Sequence, residues 1–157
     1  MRITYSVRFK NNGKITALHL EILVNAGIYL DVSSAIMLRN IAGGLKKYDW
    51  GALSLDIKVH RSNHPSRSAM RGLGDAQRSF IAEGIIENVA AKLSVEVDSV
   101  RSINLHTYTS LEKFYDDSCG EPLEYTMPLI WNMLAVSANY EPRVDKVKEF
   151  NRLNIWK

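Results

Sequence analysis

Residues 2–24 read Arg2-Ile3-Thr4-Tyr5-Ser6-Val7-Arg8-Phe9-Lys10-Asn11-Asn12-Gly13-Lys14-Ile15-Thr16-Ala17-Leu18-His19-Leu20-Glu21-Ile22-Leu23-Val24. Ile3, Tyr5, Val7 and Phe9 alternate with Arg2, Thr4, Ser6, Arg8 and Lys10, the period-two pattern of a half-buried strand. Asn12-Gly13 is a tight-hairpin signal, because both residues tolerate positive φ. A second arm over about Lys14 to Val24 puts Leu18, Leu20, Ile22 and Val24 on one face. The chain is therefore expected to open with a β-hairpin.

Downstream, Asn25-Ala26-Gly27 breaks the strand, and Asp31-Val32-Ser33-Ser34 can cap a short helix running to about Ala42 and ended by Gly43-Gly44. Leu53, Leu55, Ile57 and Val59 alternate with polar residues and predict a further strand. Residues 61–74 are polar and irregular. From about Asp75 to Leu93, Ala82, Ile85, Ile86, Val89 and Leu93 recur at helical spacing. Ser94 is expected to cap a second, shorter helix in which Val97, Val100 and Ile103 recur every third residue. A loop carrying Gly120 and Pro122 follows. Thr126 starts a helix bearing Leu129, Met133 and Val136. Pro142 falls in the first turn of a last helix that turns Val144, Val147 and Phe150 or Asn151 inward. Strands first and helices later make an α+β fold rather than a repeating βαβ array. No linker dividing the 157 residues into two domains is visible.

Composition narrows the function classes. The 20 Lys and Arg are dispersed among 17 acids, for a net charge of +3, without the dense basic stripe of a nucleic-acid binder. No apolar run reaches the roughly 20 residues that span a bilayer, and Met1-Arg2-Ile3-Thr4 enters a strand without a signal-peptide pattern. One cysteine, Cys119, permits neither an internal disulfide nor a CxxC metal site. A cytoplasmic protein that binds neither nucleic acid nor membrane is expected.

The stretch best suited to chemistry is Arg71-Gly72-Leu73-Gly74-Asp75-Ala76-Gln77, a glycine-bearing turn that opens a helix. Free amides at a helix start favour a phosphate or oxyanion, and glycines allow close backbone approach. The pattern is neither GxGxxG nor a P-loop. His60 and His64 are placed at a strand end and beside Pro65 in a loop, as surface histidines; His19 and His106 have no obvious partner in the sequence. No base or oxyanion hole accompanies Cys119. Tyr48, Trp50, Trp131 and Trp156 are expected to cover a core rather than hold a cofactor.

Three segments, taken in order, carry a resemblance. Lys46-Lys47-Tyr48-Asp49-Trp50-Gly51-Ala52-Leu53, Met70-Arg71-Gly72-Leu73-Gly74-Asp75-Ala76-Gln77 and Phe80-Ile81-Ala82-Glu83-Gly84-Ile85-Ile86-Glu87, with the tail Val144 to Asn151 and Trp156-Lys157, resemble the plant aldehyde oxidases. These belong to the molybdenum hydroxylase family that also contains xanthine dehydrogenase. The resemblance implies that residues 1–157 are part of a molybdopterin-binding domain. Iron–sulfur and FAD domains, the other molybdopterin loops and the general-base glutamate would lie outside the chain.

The parent enzyme would oxidise aldehydes to carboxylic acids at a molybdenum–molybdopterin cofactor. Electrons would pass through [2Fe–2S] clusters and FAD to oxygen. Indole-3-acetaldehyde and abscisic aldehyde are the implied substrates. Residue by residue, Arg71 and Gly72 are the implied cofactor-binding positions, the Arg71 backbone lying near the molybdenum ligands. Arg39 and Leu73 are the implied substrate-binding positions. Leu73 stands where aldehyde oxidases carry proline and xanthine dehydrogenases phenylalanine, which would loosen the turn and reshape the channel wall. Asp75-Ala76 and Arg78 also depart from the family pattern. The isolated chain is accordingly expected to bind no cofactor and to be inactive, and to associate with itself or with full-length oxidase subunits. A non-catalytic interaction module or relic is the alternative.

Overall fold

The computed structural model describes residues 1–29, 40, 41, 43, 45–66, 72, 74–115 and 125–154. Two units divide the chain, Met1–Leu111 and Glu112–Lys157, where the sequence shows no linker.

The first unit holds three strands, β1 (Arg2–Phe9), β2 (Ile15–Gly27) and β3 (Ala52–Arg61), in the order β1-β2-β3. β1 runs antiparallel to β2, with Tyr5 opposite Leu20 and Val7 opposite Leu18. The predicted hairpin is present, but its turn differs from a two-residue Asn-Gly turn. Gly13 donates its N–H to the Lys10 carbonyl and Lys10 donates to Lys14, both at 2.9 Å. Within this turn Gly13 alone takes positive φ, at 89°. The register shifts by one residue between Arg8 and Phe9. This is a turn closed by a left-handed glycine, in which the extra residue is absorbed as a bulge.

β3 lies beside β2 in parallel, with Leu20 opposite Leu55 and Ile22 opposite Ile57. A parallel neighbour needs a long crossover rather than a tight turn. Residues 28–51 span that interval. Of the helix expected there, Asn40, Ile41 and Gly43 are described and are helical, including the glycine expected to end it; Asp31 to Ser34 lie outside the described residues. A 3₁₀ turn, Leu45–Lys47, then leads into β3.

Helix α1 (Asp75–Leu93) covers the sheet. Its buried residues Ile81, Ala82, Ile85, Ile86, Val89 and Ala90 form one core with Leu18, Leu20, Ile22 and Val24 of β2. The predicted apolar faces of β1 and β3 pack against this core while partly exposed. Tyr48 and Trp50 are buried in the same core, ring edge to ring face at 5.5 Å, as the sequence led one to expect of them.

Ser94 does not cap the second helix. It ends α1 in the left-handed conformation at φ 56°, its N–H on the Ala91 carbonyl, while Val95 donates to Ala90. These bonds close the last turn of α1 on its orphan carbonyls. Helix α2 (Val97–Asn104) starts from Glu96 instead. Of the residues that recur every third position, Val100 is buried and Ile103 is exposed.

Asn104 fastens this region. Its Oδ1 accepts from the Ile15 N–H at 2.8 Å, and its Nδ2 donates to the Gly13 carbonyl at 2.9 Å and to the Val100 carbonyl at 2.8 Å. The side chain is fully buried. A short helix that the sequence reading omitted, α3 (Tyr108–Tyr115), follows. Thr107 and Ser110 cap each other reciprocally: Ser110 N–H donates to Thr107 Oγ1 at 3.2 Å and Thr107 N–H to Ser110 Oγ at 2.9 Å.

The second unit contains α4 (Met127–Ser137) and α5 (Tyr140–Leu153), with Thr126 before α4 and Pro142 in the first turn of α5, both as predicted. Of the residues expected to face inward in α5, Val144 is partly covered, whereas Val147 and Phe150 are exposed. Leu129, Met133, Val136, Val147 and Phe150 are all more than half exposed, and only Trp131, Ala135 and Val144 among the helices' apolar residues are partly covered. Two short helices offer each other too little surface to bury this much apolar side chain. The Gly120–Pro122 loop, Cys119 and Trp156 lie outside the described residues.

Candidate functional site

The turn that opens α1 is built by two glycines. Gly72 and Gly74 take φ of 74° and 85°, a region closed to most side chains. The Asp75 N–H donates to the Gly72 carbonyl at 2.9 Å. Gln77, at the third helical position, turns its Oε1 back to accept the Gly74 N–H at 2.9 Å, which satisfies one orphan donor and locks the turn. Among the described residues, nothing lies within 4 Å of a Cβ placed on Gly72. Arg78 has local partners: it pairs with Asp75 at 3.2 Å and donates to the Asn40 carbonyl at 3.5 Å.

Of the four implied site residues, Gly72 is thus placed at the mouth of α1. Arg39, Arg71 and Leu73 lie outside the described residues. The free amides expected at this helix start are instead bonded within the turn, Gly74 to Gln77 and Asp75 and Ala76 to the Gly72 carbonyl; what fits a cofactor is the close main-chain approach that glycines at 72 and 74 allow.

Behind the turn, a charged cluster ties α1 to its neighbours. Glu83 accepts from Lys47 Nζ at 2.6 Å, from the Tyr48 hydroxyl at 2.9 Å and from Arg101 Nε at 2.9 Å. Arg101 also holds Asp98 at 2.6 Å. Partial burial pushes the Glu83 carboxyl upward, but the bonds from Lys47, Arg101 and Tyr48 outweigh it and hold the group below the usual range. Burial, and then Glu83, raise the Tyr48 hydroxyl well above its ordinary value. Each acid here is satisfied by a neighbour, which marks the cluster as structural. The sequence did not single it out, because Glu83 lies 36, 35 and 18 residues from Lys47, Tyr48 and Arg101.

The histidines divide. His60 and His64 are exposed, as expected, and His106 is buried with Nδ1 3.0 Å from Ser110 Oγ. His19 has the partner the sequence did not reveal, Ser54 Oγ at 3.1 Å across the parallel pair. With Glu21 and Asp56 it brings three potential donor atoms within 4.8 Å of one another on the open face of the sheet.

The family model of the molybdopterin cofactor-binding domain matches residues 1–105. The chain belongs to that family. All 157 residues align with plant aldehyde oxidases: 57% identity to Aldehyde oxidase 4 and 55% to Abscisic-aldehyde oxidase, both of Arabidopsis thaliana, and 50% to Indole-3-acetaldehyde oxidase of Zea mays. The chain spans about 12% of the length of each. Among solved structures, it superposes on the aldehyde oxidoreductase from Desulfovibrio gigas with a TM-score of 0.73 at 22% identity, covering 94% of this chain and 16% of that one. It superposes on CO dehydrogenase from Oligotropha carboxidovorans with a TM-score of 0.67 at 17% identity, covering 95% and 19%. These establish the α+β fold of the molybdopterin-binding family and the resemblance to plant aldehyde oxidases over the whole chain.

Proposed function

We propose that the chain forms one wall of a molybdenum–molybdopterin site in an aldehyde-oxidising enzyme and does not turn over aldehyde alone. The observation that carries this is the turn built on two left-handed glycines, Gly72 and Gly74, in a chain that aligns throughout with aldehyde oxidases. When bound, the cofactor supplies the redox chemistry. The chain would supply close main-chain approach at Gly72 and a geometry fixed by the bonds of Gln77 and Asp75. Arg71 is the proposed backbone contact to the cofactor, and Arg39 and Leu73 are the proposed substrate-channel residues. Indole-3-acetaldehyde and abscisic aldehyde are the substrates to test first. Iron–sulfur clusters and FAD would be carried elsewhere in the polypeptide. The lone cysteine is in keeping with a cytoplasmic setting, and cell fractionation checks it.

The exposed apolar surface of α4 favours the same reading. Met127, Leu129, Ile130, Met133, Leu134 and Val136 are exposed around much of the helix. A helix apolar on all sides belongs in the interior of a larger protein or in a membrane. Among the described residues no helix is long and apolar enough to cross a membrane. The rest of an oxidase is the proposed cover. A separate interaction module is less favoured, since the match to oxidases is unbroken from end to end.

The test is a chimera in which this chain replaces its counterpart in Aldehyde oxidase 4 of Arabidopsis thaliana, assayed for molybdenum content and aldehyde-dependent dye reduction. Retention of the metal with turnover is expected. A chimera that folds but holds no molybdenum overturns the proposal, as does stoichiometric molybdenum with turnover in the 157-residue chain alone.

A further inference from the structure

We draw no further inference here: the strongest candidate, the cluster of His19, Glu21 and Asp56 on the open face of the sheet, is a solvent-facing group of one histidine and two carboxylates, with no second observation that points to a bound cation.

Discussion

Replacing Asn104 by alanine should destabilise the first unit more than any surface change in the same helix. The substitution leaves two buried main-chain groups without partners, the Ile15 N–H and the Gly13 carbonyl, now bonded at 2.8 and 2.9 Å. The Val100 carbonyl loses less, because it belongs to the helix that Asn104 ends. Each stranded buried group costs about 1–3 kcal/mol. Partial access of water through the vacated space reduces the sum, so a loss of about 2–4 kcal/mol is expected. For a unit of this size that lowers the thermal midpoint by about 10–20 °C. Urea denaturation followed by the fluorescence of buried Trp50 measures it, with the slope unchanged if only the clasp is lost. Ser102→Ala is the control. Its hydroxyl bonds the Ser99 carbonyl at an exposed site and should shift stability by no more than about 0.5 kcal/mol. If Asn104→Ala behaves like Ser102→Ala, the clasp does not hold the hairpin turn and the reasoning fails.

Other outcomes follow from the same geometry. Glu83 sits below its ordinary value of 4.5, so its contribution is complete above that pH and disappears as the pH falls through the lower folded-state value. Glu83→Gln should flatten the acid limb of a stability-versus-pH curve, and an unchanged limb would count against the Lys47–Tyr48–Arg101 cluster. Gly72→Ala introduces a side chain at φ 74°; a loss of about 1–2 kcal/mol is expected by denaturation, together with loss of molybdenum from the chimera. Gln77→Ala removes the back-bond to Gly74 and should cost about 1 kcal/mol, which Gln77→Glu should largely restore. Met133→Lys with Val136→Lys should reduce dye binding and self-association of the isolated chain by light scattering, without changing the melting of the first unit.

Much of the first unit was legible because its signals are local. The alternation over Ile3 to Phe9 and the helical spacing from Ala82 to Val89 each report one buried face, and the faces are where the pattern puts them. The parallel placement of β3 was not legible, since strand pairing across residues 28–51 leaves no mark in either strand. Ser94 was misread because a serine after a helix serves equally as a left-handed end or as the next cap; the bonds of Ser94 and Val95 to Ala91 and Ala90 decide it. The Thr107-Tyr108-Thr109-Ser110 cap was a visible signal for α3 that the apolar pattern hid. In α4 and α5 periodicity found the helices but not their exposure, because it shows where apolar residues are and not whether a partner is present. The glycine turn was legible as a residue pattern ahead of a helix, whereas its lock by Gln77 depends on a side-chain bond that the pattern does not carry.

The Asn104 clasp also bears on the order in which the chain takes shape. The β1–β2 hairpin needs only residues 2–27, and hairpins close within about 1–10 μs. Its turn, however, is fastened by a side chain 89 to 91 residues further on. During synthesis at about 5–20 residues per second, the hairpin waits several seconds with its loop untethered until residue 104 has been made. Ribosome-bound chains halted before and after that point should differ in protease sensitivity around Gly13, although the hairpin sequence is the same in both.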